Sequence, residues 1–279
     1  MAIKAADTRC GKTLYLDCQA GIAGDMLVAA LLDLGGKPAL GRLTQMLEKL
    51  SLEGFSVAVT RVKKAGIDCC DFDVKLDAAH ENHDHDMAYL HGLGDTSHDH
   101  DHDHDHDHDY HHAHRGLAQV EQVIDAAPLS ERARGLARDA FRILARAEAK
   151  AHGLPIDQVH FHEVGAVDSI VDVLAAAFLI DDLDIERAIV PALTDGHGTI
   201  RCQRGVIPVP VPATLNICIA HSLPLSSSSV EGELVTPTGA ALVAALEPGF
   251  SLPERYAIRA VGLGAGKRSY ERPSILRAM

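Results

Sequence analysis

The sequence predicts an α/β or α+β fold, a mixed sheet flanked by helices, with a disordered His/Asp-rich insertion. Three observations lead there. Short β-branched runs alternate along the chain with longer stretches of helical apolar spacing. Hydrophobic residues make up 47% and charged residues 23% of the 279 positions, enough apolar surface for a sizeable core. Residues 80–114 have the opposite character, holding thirteen of the eighteen histidines and ten acidic side chains, much of it in strict His-Asp alternation. Such a tract has little to bury, so it is expected to be disordered without metal and to split in sequence one main body, 1–79 with 115–279.

The elements follow in order. Residues 13–17 read as a short strand that feeds the turn QAGIAG, and an apolar helix runs from about 25 to 34. Residues 55–62 and 70–76 alternate and are rich in Val and Phe, as strands are. Beyond the tract, helices are expected at 115–126 and 130–152. In the second, Ala133, Leu136, Ala137, Ala140, Phe141, Leu144 and Ala151 follow helical spacing, Ser130 can cap the start, and Gly153 with Pro155 stops it. Residues 158–163 read as a strand and 166–183 as a long, mostly buried helix. Strands are expected at 189–193 and 198–202. The run IPVPVPAT is too proline-rich for a central strand and opens a helix at Ala213. Another helix begins near Thr238, and strand-like runs close the chain at 257–261 and 274–277. No internal repeat is present.

The net charge of −13 belongs mostly to the tract, and the rest of the chain carries only −3. With no basic patch and no Trp, little is present to compensate a phosphate backbone or to stack on bases, which argues against nucleic-acid binding. No apolar run approaches the roughly 20 residues that span a bilayer, and the N-terminus has no signal-peptide core, so no membrane association and a cytoplasmic location are expected. Cys10, Cys18, Cys69, Cys70, Cys202 and Cys218 form no C-x-x-C pair, which in that location predicts free thiols.

Four constellations carry chemistry. In VHFHEVGAVDSIVD, residues 159–172, His160 and His162 share one face of a strand and Glu163 follows at its end. Asp168 and Asp172, four apart, share one face of the next helix. Imidazole with carboxylate suits nickel, zinc or iron better than calcium or magnesium. The plainer alternative is a pair of buried histidines bonded to Asp168 or Glu163. In DCQAGIAGDM, residues 17–26, Gly21 and Gly24 let backbone N–H groups approach a phosphate at a helix N-terminus, with Asp17 and Asp25 as alternative metal or ribose ligands. Lacking both G-x-G-x-x-G and a Walker lysine, it reads more readily as a tight turn than as a ligand site. In VTPTGAAL, residues 235–242, Thr236, Thr238 and Gly239 either cap a helix or hold a phosphate or carboxylate. The tract is the fourth: carboxylates between neutral imidazoles help to gather divalent cations, which favours nickel or zinc storage over a solvated spacer.

Together these segments resemble a known family. LYLDCQAGIAGDMLVAALLDLG, HRGLAQVEQVID, LARAEAKAHG, VHFHEVGAVDSIVDVLAA, GVIPVPVPATLNI, VTPTGAALV and VGLGAGKRSYERPSILR are similar, in order, to the LarC family of nickel insertion proteins. The resemblance covers nearly all of 13–277 outside the tract. It implies a cytosolic nickel insertase, a cyclometallase of the lyase class. Its substrate is pyridinium-3,5-bisthiocarboxylic acid mononucleotide, its reaction depends on CTP with magnesium, and its product is the nickel-pincer nucleotide cofactor of lactate racemase. It further implies a homo-oligomer. On this reading His160, His162 and Glu163, with Asp17, hold nickel loosely and release it to the softer thiocarboxylate sulfurs. Glu163, Asp168 or Asp172 accepts the proton lost from the ring carbon. Gly21, Gly24 and Asp25, or Thr236, Thr238 and Gly239, hold the cofactor-precursor's phosphate.

Two departures stand out. Ala20 replaces a Ser and Arg204 a His of the family pattern, so neither lost side chain is essential here. Family members of full length continue past ILR into a second domain associated with CTP and oligomerisation, so that domain is expected to be missing or to come as a separate C-terminal polypeptide. A nickel-binding metallochaperone or storage subunit is therefore the competing reading. A zinc hydrolase is disfavoured because no H-E-x-x-H or similar ligand set occurs.

Overall fold

The computed structural model describes residues 11–77, 116–159, 167–202 and 205–279. Strand β1 (Lys12–Asp17) leads into helix α1 (Gly24–Leu47), and a hairpin of β2 (Phe55–Lys64) and β3 (Ile67–Leu76) follows. Helices α2 (Leu117–Ala126), α3 (Glu131–His152) and α4 (Val167–Asp182) come next, then β4 (Ile185–Ile189), β5 (Leu193–His197), β6 (Thr199–Cys202) and β7 (Gly205–Pro208). Helix α5 (Pro212–His221), β8 (Leu225–Glu231), helix α6 (Pro237–Ala245), β9 (Gly262–Ala265) and β10 (Ile275–Ala278) complete the chain. The mixed sheet flanked by helices is as expected. Its six strands run in the order β2-β3-β9-β10-β1-β4, beside a parallel pair β5-β8 and an antiparallel pair β6-β7.

Helix α1 packs on β3, β9 and β10, and α4 packs between α1 and α3. Helix α4 buries Ile170, Val171, Val173, Leu174, Leu179 and Ile180 together with three alanines, so it is apolar around most of its circumference and sits inside the helical layers. Helix α1 is broken at Gly36 (φ 62°, ψ −161°), and Pro38 opens its second half, where a missing N–H costs nothing. Among the described residues no helix is long and apolar enough to cross a membrane.

The strongly periodic α3 shows how local chemistry sets a boundary. Ser130 Oγ accepts from the Ala133 N–H at 3.1 Å and donates to Asp181 Oδ2 at 2.7 Å, capping α3 and tying it to the end of α4. Ser130→Ala is expected to lower stability by about 1 kcal/mol, read as a shift in the urea midpoint with an unchanged slope.

Several expectations need correction. Residues 189–193 are not one strand: Pro191 has no N–H to give a ladder, and β4 stops at Ile189 while β5 starts at Leu193. The strand expected at 257–261 is an exposed segment outside the sheet, and β9 begins at Gly262 instead. Residues 158–163 do not begin as a strand, since Ile156–Gln158 is a 3₁₀ turn. The serine-rich β8 has a loop's composition, and its parallel pairing with β5 makes it a strand.

Candidate functional site

Strands β1, β3, β4 and β9 point the same way, because β1 is parallel to β4, antiparallel to β10, and β10 is antiparallel to β9, which parallels β3. In open α/β sheets the edge at the carboxyl ends of such strands is where ligands bind. Three elements meet there: the turn after β1 with the start of α1, the segment after β9, and the first turns of α4.

Asp25 and Asp172 form the centre. Asp172 accepts a hydrogen bond from the Asp25 backbone N–H. The approach depends on Gly24, where a Cβ would stand 2.7 Å from Asp172 Oδ2. Asp25 accepts from the Met26 N–H at 2.7 Å, and Asp168 from the Ser169 N–H at 2.8 Å. Asp172 Oδ1 is buried and has no hydrogen-bond partner among the described residues.

Burial pushes the Asp25 carboxyl up to about 6, with Lys267 and the Met26 N–H working against it and Asp71 and Asp168 reinforcing it. Burial likewise raises Asp172 well above the usual carboxylate range, and the charges of Asp25 and Asp168 add to this. Lys267 closes the cluster, 2.9 Å from Asp71 Oδ1 and 3.1 Å from Asp73 Oδ1 on β3. Burial pulls its ammonium down, but Asp71, Asp25 and Asp73 outweigh this and it stays charged. Crowded carboxylates held near neutrality are able to take and give up protons at physiological pH. Among the described residues no three His, Cys, Asp or Glu side chains are grouped so as to hold a metal ion.

The glycine and threonine turns do something different. Gly21 has φ +85°, and a Cβ on it would fall 2.1 Å from the Leu234 carbonyl oxygen. Its N–H donates to Cys18 at 3.0 Å, Ile22 N–H to Leu234 at 2.9 Å, and Thr236 N–H to Ile22 at 3.0 Å. Thr236 Oγ1 accepts from the Gly239 N–H at 3.1 Å, Thr238 is buried, and Gly239 packs on the Ile22 carbonyl. The two turns thus interlock and spend these donors on each other. Asp17 is the direct neighbour of Arg277 across β1 and β10; it forms an ion pair with it and accepts the Gln19 N–H at 3.2 Å. His160, His162, Glu163 and residues 80–114 lie outside the described residues.

Four charged residues were missed. Asp71, Asp73 and Lys267 complete the cluster; the signal for the first two is their alternation in CDFDV, which puts both on one side of β3. Asp195 is fully buried, and its Oδ1 accepts from Gly196, Leu234 and Val235 at 2.8, 2.7 and 3.1 Å. Burial raises its carboxyl despite those three N–H groups. It pins β5 to the segment entering α6.

Comparison with known proteins follows this geometry. A family model described as "Nickel insertion protein" matches residues 14–279. A pyridinium-3,5-bisthiocarboxylic acid mononucleotide nickel insertion protein of Alkaliphilus metalliredigens is 45% identical over 95% of this chain and 59% of its own length. A protein of the same name from Geobacillus kaustophilus is 39% identical over 96% of this chain and 59% of its own. A putative nickel insertion protein of Citrifermentans bemidjiense is 38% identical, with 96% and 61% covered. The chain therefore spans about three-fifths of the length of these curated relatives. No solved structure matches.

Proposed function

Because the chain belongs to the nickel insertion protein family, we propose that it inserts nickel into pyridinium-3,5-bisthiocarboxylic acid mononucleotide, the substrate named for its relatives. One observation supports this most: Asp25, Asp168 and Asp172 converge at the carboxyl edge of the sheet, and burial together with the neighbouring carboxylates raises the carboxyls of Asp25 and Asp172. Forming a carbon–nickel bond on the ring breaks a C–H bond. The electron pair of that bond goes to nickel, the two thiocarboxylate sulfurs donate lone pairs to it, and the proton needs a base. We assign this role to Asp25, in place of the phosphate contact expected of it: its carboxyl, poised near pH 6, accepts that proton and later releases it to water.

Nickel is substrate here. His160, His162 and Glu163 come shortly before α4 in the sequence, and we assign nickel delivery to them. We assign CTP with magnesium as co-reactant, the lactate racemase cofactor as product and the cytoplasm as location; no residue of the described body is assigned to CTP. Homo-oligomerisation and cooperation with a separate C-terminal polypeptide belong to the same proposal. The second reading, a nickel-binding metallochaperone or storage subunit, is favoured by the His/Asp tract of residues 80–114.

The test follows nickel retention and insertion by the chain in the presence of the mononucleotide, CTP and magnesium. The His160→Ala, His162→Ala double variant is expected to lose both. Undiminished insertion removes these residues from the mechanism. If deletion of residues 80–114 removes nearly all bound nickel, the storage reading prevails; retention of one tight site favours the insertase.

A further inference from the structure

A cavity of about 340 Å³ opens between β6, the end of β8 and the loop after β9, lined among others by Thr199, Arg201, Glu231, Arg268 and Tyr270. Its size falls in the range of small-ligand sites, which begin near roughly 300 Å³. The lining carries both charge signs, a hydroxyl and an aromatic ring. Glu233, itself buried, organises two of these groups. Its carboxylate lies 3.3 Å from Arg268 Nη1, and its carbonyl accepts from Arg268 Nη1 at 3.3 Å and from the Tyr270 hydroxyl at 2.9 Å. Arg268 also makes a side-chain hydrogen bond with Tyr270, and its guanidinium carries five N–H donors in a planar fork. Gly232 backs the Tyr270 ring, whose edge lies 3.0 Å from where a Cβ would stand.

We propose that this cavity holds the phosphoribosyl half of a pyridinium mononucleotide, an inference that rests on the function proposed above. Arg268 and Arg201 meet the phosphate. Glu231 accepts the ribose hydroxyls, as a carboxylate does in dinucleotide sites. Tyr270 offers its ring face to the positive pyridinium. A ligand with an anionic end and a cationic ring matches a lining of mixed sign better than a simple anion does. The chain also links this cavity to the carboxylate cluster. Lys267 reaches Asp71 and Asp73, and the next residue, Arg268, reaches Glu233. The turns around Gly21 and Thr236, by contrast, have turned the N–H donors described above inward.

The test is calorimetric titration of the full chain, without nickel or CTP, with nicotinic acid mononucleotide, nicotinic acid riboside and inorganic phosphate. The mononucleotide is expected to bind most tightly, and Arg268→Gln and Arg201→Gln are each expected to weaken it by about 10-fold, the loss of one charge-assisted hydrogen bond. Glu231→Gln is expected to weaken mononucleotide and riboside while sparing phosphate. Since Arg268→Gln also breaks the Glu233 ion pair, Arg201→Gln, at an exposed position, decides if the first variant misfolds. Absence of mononucleotide binding, or equal affinity in wild type and Arg201→Gln, overturns the proposal. So does phosphate binding as tight as mononucleotide binding, which marks a free-anion site. Failure here with insertion intact removes the cavity and spares the proposed function. Arginine-dependent binding by a chain that inserts no nickel does the reverse.

Discussion

Asp25→Asn is expected to lower nickel insertion by about 100-fold or more while making the chain more stable at neutral pH. Both effects have one cause. Burial pushes this carboxyl from 3.8 to about 6, among Asp71, Asp168, Asp172 and Lys267. The folded state therefore holds a proton that the unfolded chain has already released. For a raised carboxyl, stability is fully present below about pH 4 and is lost as pH rises through about 6, because the charged form must then be buried. From the shift, the cost at neutral pH is roughly 2 to 3 kcal/mol, and asparagine avoids it. Melting curves of wild type and variant should coincide near pH 4, separate progressively between about pH 4 and 6 and stay apart above that, with the variant higher. Asp172, raised by the same burial, should respond in the same direction. Insertion at wild-type rate, or melting curves that coincide at pH 7.5, sinks the assignment of Asp25 as a strained proton acceptor.

Gly264→Ala is expected to destabilise the body strongly, by about 3 kcal/mol or more. A Cβ there would stand 2.0 Å from the Met26 carbonyl oxygen and 2.7 Å from the Ala30 nitrogen. Both are backbone atoms of α1, so no side chain can swing aside. Gly262 repeats the contact one turn along, 2.0 Å from the Ala30 oxygen. These two glycines let the helix lie directly on β9 and hold the start of α1, hence Asp25, over the strand ends. Gly135→Ala is the matched control, since a Cβ there meets nothing within 4 Å on a helix. It should stabilise the chain by roughly 0.5 to 1 kcal/mol. Denaturant midpoints of the two variants falling on the same side of wild type would contradict the steric account.

The helices were legible because their signals are local and dense. Helix α3 shows a cap, a stripe and a glycine stop within 24 residues. The apolar α4 was legible from length and composition, although its buried position depends on both α1 and α3. Strands were harder. The exposed run at 257–261 has a better strand composition than the glycine-rich β9, yet β9 takes the place in the sheet. The reason is close packing: only residues without side chains fit under α1 at that position. The serines of β8 became a strand through β5, a partner about 30 residues away in sequence.

The candidate site divides in the same way. The sequence by itself determined the mixed α/β class, the family, and the placing of Asp25, Asp168 and Asp172 at helix starts, because those properties reside in composition, period and short-range order. Only the tertiary structure decided that Asp25 and Asp172 share a hydrogen bond, that Lys267 joins them with Asp71 and Asp73, and that Asp17 is taken up by Arg277. It also decided that the Gly21 and Thr236 turns lock onto each other. Each of these is a contact between residues distant in sequence. Its energy comes from burial and charge in three dimensions, and spacing along the chain carries no record of either.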